Sequence, residues 1–105
     1  MESIFYRTEK GEYIVDFSIG TIIELIDAKD VVSVIYLDVE LKGFNTEINE
    51  KELEFSDSNI VEILYWTKEE IKFCKGFYNQ RNRNFDDADF QIIFDNRLIC
   101  YRIIE

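Results

Sequence analysis

The chain carries sixteen Ile against six Leu and two Ala, and this ratio constrains its fold more than any other feature. β-Branched and aromatic side chains suit a pleated, half-buried surface, whereas Leu and Ala favour helices. Six Val, nine Phe and six Tyr push the same way. With 105 residues, 47% of them apolar, there is material for one core, unlike a disordered chain. The expectation is a single domain over 1–105, strand-rich and α+β. An antiparallel sheet of roughly five to seven strands with one or two short helices would be layered, or curled towards a barrel.

Short segments divided by polar turns support this reading. Ile4–Arg7 and Tyr13–Phe17 flank the turn residues Glu9-Lys10-Gly11-Glu12 and read as a hairpin. Tyr13, Val15 and Phe17 share one side of the second strand. Ile19, Ile22, Ile23 and Ile26 sit at helical spacing, with Ser18 or Thr21 as cap. Gly20 and the β-branched residues keep a strand open as the alternative. Residues 31–41 read as one strand with Val31, Ser33, Ile35, Leu37, Val39 and Leu41 on the core face. On that reading Leu37→Ala costs roughly 2–5 kcal/mol.

Lys51–Phe55 alternates and reads as a half-exposed strand, with Leu53 and Phe55 inward and Glu52 and Glu54 outward. Ser56–Asn59 is loop chemistry, and Ile60–Trp66, apolar on both faces except Glu62, reads as a central strand. Thr67–Glu70 fits a capping box, yet the stretch after it also alternates, so helix and strand both stand for 67–79. Asn79–Asp89 reads as a loop. Phe90–Phe94 and Leu98–Ile104 read as a closing hairpin around Asp95-Asn96.

The chain has no His, so the commonest general base and transition-metal ligand is missing. Gly11, Gly20, Gly43 and Gly76 are scattered and form no phosphate loop. Asp86-Asp87-Ala88-Asp89 lacks the spacing of a calcium loop and reads as a solvated turn. Cys74 and Cys100 read as small core residues. No catalytic residue, metal site or cofactor is expected, and the protein is not expected to be an enzyme. The opening residues have no basic start followed by a long apolar run, and no apolar run is long enough to span a membrane. A cytoplasmic setting with reduced thiols is expected.

Charge is the unusual feature: 22 acids against 12 bases, a net of −10. Residues 1–60 hold 14 acids and 5 bases, and residues 61–105 hold 8 and 7. Such a surface repels nucleic acid and anionic lipid and attracts basic proteins. The only basic stretch, Lys68 to Arg83, interleaves with Phe73, Phe77 and Tyr78. It reads as an amphipathic element rather than a nucleic-acid groove.

Asp38, Glu40, Glu47, Glu50, Glu52, Glu54 and Asp57 crowd one segment. If strands 31–41 and 51–55 pair, acids from both form one wall, with Tyr36 and Trp66 as candidate aromatic anchors. Reversing Glu52 and Glu54 to Lys would then weaken partner binding. The function expected from these features is inhibition of a basic protein, a toxin or nuclease, by plugging its cleft. Bacterial immunity proteins and antitoxins act this way, and the chain is like them in size, charge and lack of a site, with no shared motif. A structural or adaptor subunit, a small-ligand-binding regulatory domain and a nucleic-acid mimic are the alternatives.

Overall fold

A computed structural model describes residues 2–55 and 60–104, without the side chain of Phe55. The loop expected at Ser56–Asn59, the site residue Asp57 and the inward Phe55 side chain therefore lie outside the described residues. The protein is strand-rich α+β; among the described residues there are two antiparallel sheets of four and five strands, two short helices and no closed barrel. The chain forms two compact units, Met1–Thr46 and Glu47–Glu105, each with its own sheet.

In the first unit, β1 (Ser3–Thr8) and β2 (Gly11–Asp16) form the expected hairpin, and the Thr8–Gly11 pair leaves Glu9 and Lys10 as its turn. Helix α1 (Ile19–Asp27) follows, so the helical reading of this segment holds. Ser18 is its cap, with Oγ accepting the Thr21 N–H at 3.0 Å. The Lys42 ammonium closes the other end by donating to the Ile26 carbonyl at 2.8 Å and to that of Ala28. A cation at a helix C-terminus satisfies orphan carbonyls and complements the dipole. Strand β3 (Val31–Tyr36) pairs with β1, and β4 (Val39–Glu40) pairs with β3, giving the order β2-β1-β3-β4. Buried Ile4, Ile22, Ile26, Val34, Tyr36 and Leu41 supply the apolar interior of this unit.

The single strand expected over 31–41 is in fact a hairpin, and along β3 the buried face is the other one, while Leu41 beyond the turn is buried as expected. Leu37 and Asp38 form the turn, at φ 52 and 59. Two consecutive left-handed residues reverse the chain. Val34 and Tyr36 are buried, while Ile35 and Leu37 are each 39% exposed. Val31 is also buried, because a bulge opposite Arg7–Thr8 shifts the alternation. The expected cost of Leu37→Ala falls with that face.

In the second unit, Glu50–Phe55 is a helix, α2, and not a strand. Asn49 Oδ1 accepts the Glu52 N–H at 3.2 Å, and two acids occupy the first turn. Cap, dipole and the helix-forming residues Glu, Lys and Leu outweigh a short alternation. The Tyr101 hydroxyl accepts the Asn49 N–H at 2.8 Å and ties this cap to the sheet.

Five strands follow: β5 (Ile60–Trp66), β6 (Ile71–Asn79), β7 (Asn84–Asp86), β8 (Ile92–Ile93) and β9 (Leu98–Ile103), in the order β8-β7-β6-β5-β9. β5 is interior, as its two apolar faces imply. Thr67 does cap, but it caps the turn of a hairpin: its Oγ accepts the N–H of Glu69 and Glu70, and β6 is a strand.

Two further expectations are corrected. Residues 79–89 contain β7, and the closing hairpin does not form. Asp95–Arg97 is a 3₁₀ turn that sends β9 to β5, while β8 pairs with β7. The core of this unit joins Leu53, Val61, Ile63, Tyr78, Phe85 and Tyr101. Phe85 packs against both tyrosine rings, with centroids 5.1 Å apart in each case.

Candidate interaction surface

The hairpin register carries Ile14 opposite Phe5, and β3 brings Ile35 opposite Phe5 on its other side. Three apolar side chains thus form one row across β2, β1 and β3. They are 66%, 50% and 39% exposed in that order. The opposite face holds Ile4, Val34 and Tyr36, all buried. Polar residues frame the row. Arg7 stands between Glu12 and Ser33, Asp16 stands opposite Ser3, and Glu40 stands opposite Ile35. An open groove of about 760 Å³ runs here, lined by Phe5, Arg7, Glu12, Ile14, Ser33 and Ile35 among others. An exposed apolar strip inside a polar rim is the anatomy of an interaction surface. β2 is also a sheet edge.

The acidic residues expected to form one wall are not joined by strand pairing, since α2 is a helix. Asp38 lies exposed in the β3–β4 turn, and Glu47 and Glu50 are exposed. Glu52 and Glu54 are both exposed on α2, where residues two apart point in different directions. The Glu52 carboxylate reaches back to the Asn49 amide at 3.5 Å.

Glu40 is tied down. Its carboxylate accepts from the Ser33 hydroxyl, from Val34 N–H at 2.7 Å and from Lys42 N–H at 3.3 Å. Partial burial opposes ionisation, but these bonds and one from the Leu41 backbone outweigh it and hold the carboxyl below its ordinary range.

The two aromatic anchors also find internal partners. Tyr36 is buried and stacks on Phe17 with centroids 4.5 Å apart. Its hydroxyl donates to Glu2, and burial followed by this acidic partner raises its pKa. Trp66 is half-buried, with the Arg97 guanidinium 4.9 Å from its ring. Trp66, Lys72, Phe94 and Arg97 help to line a cleft of about 260 Å³. This is below the roughly 300–1,000 Å³ of typical small-ligand pockets.

The remaining chemistry is quiet. Cys74 stands opposite Ile63, and Cys100 stands opposite Leu64 on the other side of β5. Successive residues of a strand face opposite ways, so the two thiols lie on opposite faces of the sheet. Burial pushes Cys100 up to about 12. Asp87 organises its own loop, accepting the N–H of Asp89 and Gln91, each at 2.9 Å. Lys72 and Lys75 are exposed on β6, with Lys75 opposite Glu62. Among the described residues no group of three or more acidic or Cys side chains is placed to hold a metal ion, and no helix is long and apolar enough to cross a membrane.

Sequence reasoning does not single out Phe5, Ile14 or Ile35, because an apolar residue on a strand reads as core until the covered face is known. The available signal is Ile14, which is apolar on the far side of a strand whose Tyr13, Val15 and Phe17 share the near side. Comparison with protein-family models, curated proteins and solved structures finds no match to this chain.

Proposed function

We propose that this chain is a protein-binding inhibitor of a basic protein, an antagonist of a toxin of the nuclease type, working in the cytoplasm in the manner of bacterial immunity proteins and antitoxins. The observation that carries the reading is the exposed Ile14–Phe5–Ile35 row flanked by Glu12 and Asp16 in a chain of net charge −10. Acids at the rim steer a basic partner in, and the apolar row holds it. The acidity is not confined to one part of the protein. Met1–Thr46 holds nine acids and four bases, and Glu47–Glu105 thirteen and eight, a net of −5 each.

The test is capture by the intact tagged chain from lysate of its source cells, at low and high salt, followed by assay of the purified captured protein. The reading expects a basic protein whose activity is abolished at one-to-one stoichiometry, whose capture weakens with salt, and which the Phe5→Asp variant fails to retain. Salt-insensitive recovery of a multi-subunit assembly would instead favour the adaptor reading.

A further inference from the structure

The open edge of β2 is equipped to take up another strand, and its chemistry defines which kind. Phe17 donates its N–H to the Glu2 carbonyl at 3.1 Å, so Glu2 and Phe17 form a hydrogen-bonded pair. Antiparallel ladders alternate bonded and non-bonded pairs. Along the register, the bonded pairs are then Ile4–Val15, Tyr6–Tyr13 and Thr8–Gly11. Glu12, Ile14 and Asp16 belong to the others. Their N–H and C=O groups point away from β1, to the edge that, among the described residues, no strand of the sheet covers. The same three residues carry their side chains on the exposed face, where Ile14 extends the Phe5–Ile35 row.

We infer that β2 is a docking edge for an extended strand of a basic protein, with basic side chains at alternate positions on either side of an apolar one. The inference deepens the inhibitor reading and rests on it for the biological partner. An added strand pairs its peptide groups with those of Glu12, Ile14 and Asp16. Its apolar residue stands beside Ile14 and lengthens the row. Residues two positions away on the same face stand beside Glu12 and Asp16. Asp16 stands opposite Ser3 across the hairpin, whereas Glu12 stands opposite the cationic Arg7, so the hairpin partner compensates Asp16 less.

A second copy of this chain is a poor occupant. Antiparallel pairing of two β2 strands about Ile14 sets Glu12 of each against Asp16 of the other, and like charges directly opposite are destabilising. Those acids therefore block self-pairing at an exposed edge while favouring a basic strand.

The experiment uses the 105-residue chain and two short synthetic peptides, one with the core Lys-Thr-Val-Thr-Lys and one with Glu-Thr-Val-Thr-Glu. Amide hydrogen exchange is followed by NMR. The basic peptide is expected to slow exchange at Glu12, Ile14 and Asp16 by about tenfold or more, with little change at Tyr13 and Val15, whose N–H groups are already bonded. The acidic peptide is expected to leave all five unchanged. Ile14→Pro removes one edge donor without touching the hairpin bonds, and Asp16→Lys changes charge alone. Each is expected to weaken the basic peptide about tenfold or more, and the second keeps the test open if the first unfolds. Unaltered exchange at the three edge amides, or equal protection by the acidic peptide, overturns the inference. A chain that captures and inhibits a basic protein without protection at these amides keeps the function and loses the docking edge. Protection by the basic peptide with no basic protein captured does the reverse.

Discussion

The carboxylate of Glu40 accepts the backbone N–H of Val34 at 2.7 Å, the donor that a regular β3–β4 ladder would give to the Leu41 carbonyl. The Val34 carbonyl still takes the Leu41 N–H at 2.7 Å. A side chain thus completes the sheet where the short strand β4 ends, and a residue that reads in sequence as part of a binding wall serves as a hydrogen-bond acceptor for its own fold. Glu40→Ala is expected to lower stability by about 1–2 kcal/mol, the low part of the range for a stranded donor because the site is partly solvated.

The same pair predicts a pH dependence. The Glu40 pKa is lower in the folded protein than its ordinary value of 4.5, so its contribution is complete above that value and is lost as pH falls through the folded pKa. Urea midpoints at pH 7 and pH 3 are expected to differ more for the native chain than for Glu40→Gln. Equal differences would show that the carboxylate charge adds nothing.

Leu37 and Asp38 occupy left-handed backbone at φ 52 and 59, a turn for which Asn-Gly is the favoured pair. A left-handed conformation costs an ordinary L-residue roughly 1–2 kcal/mol. The double variant Leu37→Asn, Asp38→Gly is expected to raise the urea midpoint, by about 1 kcal/mol in stability. Leu37→Ala, by contrast, is expected to change stability by less than about 1 kcal/mol, because its side chain is at the turn and exposed.

Gly76 sits where β7 leaves no room for a side chain. A Cβ there would lie 2.1 Å from the Asp86 carbonyl oxygen and 2.9 Å from Ile63 Cδ1. The nearer atom is backbone, so relief requires β7 to move. Gly76→Ala is expected to cost about 1–3 kcal/mol or more, read as a drop in thermal midpoint. Gly20→Ala, with open space at its Cβ position inside α1, is the matched control and is expected to stabilise by up to about 1 kcal/mol.

Phe5→Ser and Ile14→Ser remove exposed apolar surface and leave the buried face of the first sheet intact. Both are expected to fold with stability within about 1 kcal/mol of the parent chain while losing capture of the basic partner. A large fall in stability with capture retained would show that the row serves the fold.

How much was legible follows from range. The β1–β2 hairpin, α1 and the two-faced strand β5 announce themselves locally, through a glycine turn, a Ser18 cap with Ile at helical spacing, and continuous apolar residues. Helix α2 carried a local signal too, Asn49 with Glu52 three positions on, but a five-residue alternation masks it. The acidic candidates were legible as composition only. Which of them stay exposed, as Asp38 does in the β3–β4 turn, and which are consumed, as Glu40 is, depends on backbone donors that pairing brings to them.

By itself, the sequence determined a strand-rich α+β protein, its acidity and its lack of His, because each is a property of residue types or of neighbours within a few positions. Only the tertiary structure decided that the strands divide into two sheets, that Val34 and Tyr36 rather than Ile35 and Leu37 face inward, and that Phe5, Ile14 and Ile35 line an open face. The physical reason is that alternation specifies two faces for a strand without saying which one is covered. A turn at Leu37–Asp38, a bulge opposite Arg7–Thr8 and a crossover through α1 make that choice, and the last two act through pairing of β1 with β3, residues distant in the chain.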